Sequence, residues 1–205
     1  MIMPQPALAT YQTDNDKQLL ELAESLGQPV PSRRNGPLID RLVPLPKELA
    51  HPQSLSANFG EQAFPYHTDG AYFPIPPRYI VLRFARGPEN PTPTRLCLID
   101  QIDEAIKDSL QFHLWRVRSF EPFYAPILAE DGRYFRFDPC IMQPISQKQS
   151  NEDRLQALIA QQTITNIDWQ INQTIVIDNW RTLHQRPGVR PDEVQYRTIQ
   201  RIMIL

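Results

Sequence analysis

The 205-residue chain has few of the residues that mark several protein classes. It contains only two cysteines, Cys97 and Cys140, and their spacing fits no metal-binding pattern. We expect both to be reduced and to pack as small apolar residues. Glycine is scarce at seven residues, whereas proline reaches 21. Because proline interrupts helices, this composition favours short strands joined by ordered loops.

Long apolar runs and blocks of basic charge are also missing. The chain has no window of about 18 apolar residues and no signal-peptide pattern, so we expect neither a membrane span nor secretion. The formal net charge is -2, and lysine and arginine form no cluster. We therefore expect no nucleic-acid or membrane partner and a cytoplasmic protein. The length suits one domain over residues 1–205, in which we expect residues 1–13 to be poorly ordered.

Apolar periodicity predicts many short strands and three helices. The predicted strands cover residues 54–58, 79–86, 94–99, 113–120, 134–137, 170–178 and 195–205. The predicted helices are 14–26, a second capped by Asp100 and bearing Ile102, Ile106 and Leu110, and a third capped by Ser150 or Asn151 and bearing Leu155, Leu158 and Ile159. This pattern indicates a mainly β (α+β) fold with a double sheet of jelly-roll type, although periodicity alone leaves a sandwich or a barrel open.

The strongest candidate for a functional site is the tripeptide His67-Thr68-Asp69, followed 115 residues after Asp69 by His184. Two neutral imidazoles and one carboxylate can occupy one face of an octahedral Fe(II), which leaves three adjacent positions for a co-substrate and O2. On a strand, His67 and Asp69 point the same way while Thr68 turns to the opposite side. The third ligand then comes from a distant strand.

Two segments resemble the metal motifs of the taurine dioxygenase and clavaminate synthase-like superfamily of Fe(II)- and 2-oxoglutarate-dependent oxygenases. They are residues 64–72 (FPYHTDGAY) and residues 174–179 (TIVIDN), the second shortly before His184. The resemblance covers roughly residues 54–205. It implies a double-stranded β-helix (jelly roll) with a few flanking helices, and a catalytic Fe(II) whose ligands are His67, Asp69 and His184. It also implies 2-oxoglutarate and O2 as co-substrates.

The resemblance further implies residues that bind the two organic substrates. Arg197 and Thr94 match the positions that hold the far carboxylate of 2-oxoglutarate, and Arg201 matches a position that faces the prime substrate. A period of two puts Arg197 and Arg201 on one face of the last strand, where an arginine can bind a carboxylate through two parallel hydrogen bonds. A salt bridge at the sheet edge is the alternative for both arginines. Tyr66 and Tyr72 flank the ligands, as substrate-pocket residues or as core residues.

The predicted reaction is oxidation, by hydroxylation first of all, of an unactivated C–H bond in a small anionic or amino-acid-like substrate, with release of succinate and CO2. Desaturation, epimerisation and ring closure need the same ligands. The competing hypothesis is a non-catalytic metal-binding jelly-roll protein. The stretch between Thr94 and Asp178 is short for the superfamily, which suits a large substrate, a carrier-bound substrate or closure by a partner subunit. The sequence leaves the oligomeric state open.

Overall fold

The computed structural model describes residues 7–50, 54–99, 102–145 and 151–205. Within these ranges the fold is mainly β, with antiparallel sheets and a few helices. The strands are β1 (Leu8–Gln12), β2 (Pro29–Val30), β3 (Asp40–Leu42), β4 (Tyr79–Arg86), β5 (Thr94–Leu98), β6 (Trp115–Val117), β7 (Phe123–Ala125), β8 (Met142–Pro144), β9 (Ile164–Ile167), β10 (Gln173–Asp178), β11 (Thr182–Gln185) and β12 (Thr198–Ile204). The α-helices are α1 (Asp16–Leu26), α2 (Leu55–Phe59), α3 (Glu104–Phe112) and α4 (Asn151–Gln161), and short 3-10 helices cover Lys47–Leu49 and Pro191–Glu193.

The largest sheet has the strand order β1-β10-β4-β12-β2, with β3 also paired to β12. The side chains of its central strand β4 alternate between two buried clusters, because successive side chains of a strand point to opposite faces. Ile80 and Leu82 face the smaller β11-β5-β9 sheet, whereas Val81 packs with Leu19 and Ala23 of α1. The alternation explains why β4 is an almost continuous apolar run.

The β11-β5-β9 sheet packs against the large sheet through a buried cluster that includes Leu96, Trp169 and Ile199. A third sheet, β7-β6-β8, joins α3 and α4 around another cluster that includes Trp115, Phe137 and Leu155. β11 and β5 thus stand between two apolar clusters. This position matters because β11 carries His184 and β5 begins at Thr94.

Two predicted strands are wrong, each for a local reason. Residues 54–58 form the start of α2, because the Ser54 side chain accepts a hydrogen bond from the Ala57 N–H at 3.3 Å and caps the helix. Residues 134–137 form only one isolated bridge, between Phe135 and Leu128. The backbone N–H groups of this segment donate to several different neighbours instead of one partner strand, as the bonds of Phe135 to Trp180 and of Arg136 to Ile127 show.

Part of the segment 1–13, for which we expected poor order, forms strand β1, and residues 1–6 of that segment lie outside the described residues. Leu8–Gln12 pairs with β10 in an antiparallel register from Leu8 opposite Ile177 to Gln12 opposite Gln173. The hydroxyl groups of Thr13 and Thr174 lie 2.6 Å apart and extend this contact. Backbone pairing with a buried strand orders a segment whose own sequence carries little apolar signal.

The remaining expectations concern helices and cysteines. α1 begins after Asn15, whose side chain accepts from the Gln18 N–H, and ends before Gly27, as the pattern over 14–26 predicted. The predicted caps Asp100 and Ser150 lie outside the described residues. Cys97 and Cys140 are both free thiols, and Cys97 is buried. Across the described ranges, none of the helices is long and apolar enough to span a membrane.

Candidate metal centre

The fold brings together the three residues that the sequence proposed as metal ligands. His67, Asp69 and His184 are all buried, and one candidate ligand atom from each lies within 4.8 Å of the others. His184 belongs to β11, whereas His67 lies outside the named strands and pairs only with His184. Their backbones exchange two hydrogen bonds, with N···O distances of 3.0 and 2.9 Å. This bridge therefore joins the segment that carries His67 and Asp69 to the strand that carries His184.

The segment that carries His67 and Asp69 is held by contacts on the far side of Thr68. The Thr68 N–H donates to the Phe137 carbonyl at 2.7 Å, and the Thr68 hydroxyl accepts from the Phe137 N–H at 3.0 Å. Thr68 thus faces away from the two ligands. The chain then turns at Gly70, where φ is +68° and an added Cβ would lie 2.5 Å from Pro77 Cδ. Only glycine fits this turn without displacing Pro77.

Asn179 fixes the backbone of Asp69. Its Oδ1 accepts from the Asp69 N–H at 3.0 Å, while its Nδ2 donates to the carbonyls of Asp69 at 3.0 Å and Pro77 at 2.8 Å. The Asn179 residue is fully buried. It lies in the turn between β10 and β11. Its hydrogen bonds to the backbone of Asp69 could not be predicted from the sequence, because the two residues are 110 positions apart.

The protonation states suit metal binding. His67 Nδ1 donates to the Pro65 carbonyl at 2.9 Å, which leaves the lone pair of Nε2 available. Burial and the neighbouring His184 lower the pKa of His67 to about 4, so its imidazole is neutral at pH 7. Burial alone would raise the pKa of Asp69, but Arg201 and the two histidines hold that pKa well below its usual value. The site therefore offers a neutral His67 imidazole and an ionised Asp69 carboxylate beside the His184 ring.

Arg201 lies between two carboxylates. Its Nη1 is 2.5 Å from Asp69 Oδ1, and its Nη2 donates to Asp40 Oδ2 at 2.9 Å. Asp40 in turn accepts from the Ser32 hydroxyl at 2.9 Å. The second oxygen of Asp69, Oδ2, lies 3.5 Å from His184 Nε2. Asp40 could not be predicted from the sequence, because nothing local marks a partner that is 161 residues from Arg201.

The proposed 2-oxoglutarate residues lie next to the same strands. Leu96 pairs with His184 across β5 and β11, and Thr94 is two residues before Leu96 on the same face. The Thr94 hydroxyl accepts from the Trp169 indole N–H at 3.0 Å. Arg197 is buried, and its Nη2 donates to the carbonyl of Thr92 at 3.1 Å. Arg197 and the segment that leads into Thr94 are therefore in direct contact.

Arg197 also has a buried acidic neighbour that the sequence analysis missed. Its Nε lies 3.5 Å from Oε2 of Glu193, a residue with no exposed surface. The other oxygen, Oε1, accepts from the N–H of Thr92 at 2.8 Å and from its hydroxyl at 2.9 Å. Burial lowers the pKa of Arg197 to about 10, and Glu193 offsets only part of that effect. The Arg197 guanidinium is thus incompletely neutralised.

The two flanking tyrosines have different surroundings. The Tyr72 hydroxyl donates to the Ser32 carbonyl. Burial raises the pKa of Tyr72 to about 12, while Arg201 acts to lower this pKa and Asp69 to raise it. Tyr66 is partly buried and packs against the cluster of α3 and α4. Tyr72 also lines one end of an open cleft of about 910 Å³, together with Phe123, Tyr134 and other residues.

The loop after Asp69 is held by an arginine that the sequence analysis did not single out. Arg136 is buried, with 1% of its surface exposed, and donates to the carbonyls of Ala71 at 2.8 Å, Phe73 at 2.7 Å and Pro74 at 2.6 Å. These three carbonyl acceptors fix the path of the loop that carries Tyr72.

Solved structures of two iron oxygenases are similar to this fold. An asparagine oxygenase in complex with Fe(II), 2S,3S-3-hydroxyasparagine and succinate matches with a TM-score of 0.73 and 21% identity, over 91% of this chain and 63% of that chain. The non-heme iron oxygenase OrfP in complex with Fe and alpha-ketoglutaric acid matches with a TM-score of 0.71 and 19% identity, over 92% of this chain and 63% of that chain. No protein-family model and no curated protein matches the sequence.

The likeness establishes a shared fold. The chain spans about 63% of the length of these two oxygenases.

Proposed function

We propose that the protein is an Fe(II)- and 2-oxoglutarate-dependent oxygenase that hydroxylates a small amino-acid-like substrate. The observation that carries the proposal is the buried group of His67, Asp69 and His184, with ligand atoms within 4.8 Å of one another, in a fold shared with iron oxygenases. We also propose that the packed antiparallel sheets form a double-stranded β-helix and that residues 1–205 make one domain. Iron, 2-oxoglutarate and O2 would together supply the oxidation, with release of succinate and CO2.

The donor set fits Fe(II). Two imidazole nitrogens and one carboxylate oxygen suit a metal that keeps open positions for further ligands. The Pro65 carbonyl orients the His67 ring, and Asn179 orients the backbone of Asp69. Such outer contacts raise metal affinity because they hold the ligands in position before the metal binds.

We infer that Arg197 and Thr94 hold the far carboxylate of 2-oxoglutarate. The incompletely neutralised charge of Arg197 supports this role, because a buried guanidinium gains more from a carboxylate than an exposed one does. The Thr94 hydroxyl accepts its hydrogen bond from Trp169. Its own hydrogen is therefore available for donation to an incoming carboxylate oxygen.

We retain Arg201, Tyr66 and Tyr72 as candidate residues for the prime substrate. Arg201 is neutralised in the structure by Asp69 and Asp40, so an anionic group of the substrate must compete with them. A divalent metal bound to Asp69 would weaken that competition, because it supplies positive charge to the same carboxylate. The open cleft beside Tyr72 is the proposed entry path. An amino-acid substrate agrees with the hydroxyasparagine and hydroxyarginine bound in the structural neighbours.

The decisive experiment compares the wild type with His184→Ala under anaerobic conditions. Fe(II) and 2-oxoglutarate should give the wild type the metal-to-ligand charge-transfer absorption of the chelate, and His184→Ala should lose both this absorption and succinate formation while keeping its circular dichroism spectrum. His113→Ala, which removes an exposed histidine that contacts Ser109, is the matched control and should behave as wild type.

Two results would contradict the proposal. One iron per chain and unchanged turnover in His184→Ala would exclude His184 from the site. Metal binding by the wild type without any 2-oxoglutarate absorption would favour the non-catalytic metal-binding protein instead.

A further inference from the structure

Glu193 is a fully buried carboxylate next to the residues that we propose to hold 2-oxoglutarate. It ends the short 3-10 helix Pro191–Glu193, four residues before Arg197. Its backbone carbonyl accepts from the Arg197 N–H at 2.8 Å, which fixes the turn that leads into β12. No step of the proposed reaction uses its charge. Because a buried carboxylate is costly unless it is hydrogen-bonded or paired, its partners indicate its role.

The two side-chain oxygens of Glu193 face different partners. Oε1 accepts from the Thr92 N–H at 2.8 Å and from the Thr92 hydroxyl at 2.9 Å. Oε2 lies 3.5 Å from Arg197 Nε, and neither of these two buried atoms has a hydrogen-bond partner within the described ranges. Arg190 lies 3.4 Å from Oε1, but its side chain is partly exposed and also pairs with Asp192. Glu193 therefore connects Thr92 with Arg197.

The same two partners of Glu193 also contact each other, because Arg197 Nη2 donates to the Thr92 carbonyl at 3.1 Å. With Nε towards Glu193 and Nη2 on Thr92, the planar guanidinium has one orientation and its Nη1 remains for a ligand. One residue, Pro93, separates Thr92 from Thr94, and its ring restricts φ. The position of Thr92 is thereby transmitted to Thr94.

We propose that Glu193 is a positioning residue that holds Arg197 and Thr94 at the separation needed by the far carboxylate of 2-oxoglutarate. The inference rests on the proposed function and adds a residue that does not touch the co-substrate itself. A carboxylate suits this position because it has two acceptor oxygens and no donor. A glutamine could accept from Thr92 or from Arg197 but not from both, since its amino group would face the other N–H.

The test titrates two 2-oxo acids into the anaerobic Fe(II) forms of the wild type and of Glu193→Gln, with the charge-transfer absorption as readout. 2-Oxoglutarate carries the far carboxylate, whereas 2-oxopentanoate has the same carbon chain without it. We expect Glu193→Gln to weaken 2-oxoglutarate by about 10- to 100-fold, the usual effect of losing a hydrogen bond to a charged group. The affinity for 2-oxopentanoate should not change, because only the far carboxylate depends on the alignment.

Three further variants sharpen the test. In an Arg197→Met background, Glu193→Gln should weaken 2-oxoglutarate much less than it does in the wild type, because a residue that acts through Arg197 is not additive with it. Thr92→Val removes one donor to Oε1 and keeps the charge of Glu193, so we expect about 3- to 10-fold weaker 2-oxoglutarate. It decides the question if Glu193→Gln does not fold. Glu24→Gln, at an exposed position of α1, is the matched control.

Absence of the absorption from the wild type with both acids would overturn the proposed function and this inference together. With a normal wild-type 2-oxoglutarate complex, three results would overturn the inference alone. Equal weakening of both 2-oxo acids would show a general structural effect. Tighter binding of 2-oxoglutarate by Glu193→Gln would show that Glu193 acts as a competing anion. An undiminished effect in the Arg197→Met background, or none in either Glu193→Gln or Thr92→Val, would show that Glu193 does not position Arg197.

Discussion

Arg197 lies directly before β12, and Arg201 lies within that strand four residues later. The protein balances the charges of these two arginines to different degrees. Arg201 forms close ion pairs with Asp69 and Asp40, which raise its pKa above the usual value even though burial acts to lower it. Arg197 has one buried acidic neighbour, Glu193, at 3.5 Å, and its pKa falls to about 10 because burial prevails. The charge of Arg201 is neutralised by carboxylates of the protein, whereas the charge of Arg197 is neutralised only in part.

This difference indicates different roles for the two arginines. Arg201 stabilises the arrangement of the Asp69 carboxylate, because it holds Oδ1 while Oδ2 lies towards His184. Arg197 offers the better site for a carboxylate that comes from outside the chain. Burial alone does not distinguish them, since both are largely removed from solvent.

The largest expected effect is on stability, from Arg201→Ala. This change leaves Asp69 and Asp40 as two buried carboxylates without their shared cation, and breaking a buried ion pair in this way typically costs about 3–5 kcal/mol. Urea denaturation of the protein treated with chelator measures the loss. Saturating Zn²⁺ should restore part of it, because the metal supplies positive charge to Asp69.

The control for Arg201→Ala is Arg133→Ala, which breaks an exposed ion pair with Asp131. We expect no measurable change in the free energy of unfolding there, since exposed pairs contribute little. An Arg201→Ala protein as stable as wild type after chelator treatment would remove the distinction between the two arginines.

The next effect is on co-substrate affinity, from Arg197→Met, which keeps the apolar stem and removes the charge. Loss of the buried partner should weaken 2-oxoglutarate by about 2–5 kcal/mol, or on the order of 30-fold to several-thousand-fold. The charge-transfer titration measures this without knowledge of the prime substrate. Arg133→Met removes an exposed arginine that pairs with Asp131 and serves as the control. Unchanged affinity of Arg197→Met for 2-oxoglutarate would show that another residue holds the far carboxylate.

The smallest effect is expected from Thr94→Val, which keeps the shape of the side chain and removes its hydroxyl. One hydrogen bond to the carboxylate is lost, at most about 1.5–3 kcal/mol of 2-oxoglutarate affinity. Trp169→Phe separates this contribution from the hydrogen bond between Trp169 and Thr94, because it removes the indole donor and leaves the hydroxyl in place. If Trp169→Phe weakens 2-oxoglutarate as much as Thr94→Val does, the hydroxyl itself is not the contact.

Local sequence signals predicted the elements whose apolar pattern is strong. Residues 79–86 form a strand with the predicted bounds, and residues 94–98 and 173–178 form strands within the predicted ranges. The mainly β class with few helices is confirmed. Residues 67–69 differ, because they make a single bridge and a turn where a strand was expected. His67 and Asp69 still converge, since the contacts of Thr68 with Phe137 impose the alternation that a strand would have supplied.

The sequence alone identified the candidate metal ligands, two histidines and an aspartate within recognisable motifs. It also predicted the strand on which Arg197 and Arg201 share one face. Tertiary structure decided which groups neutralise or orient them. Asn179 reaches Asp69 across 110 residues, and Arg201 reaches Asp40 across 161. Such pairings depend on how the sheets pack rather than on local propensity, so Asn179 and Asp40 become part of the site only when the chain folds.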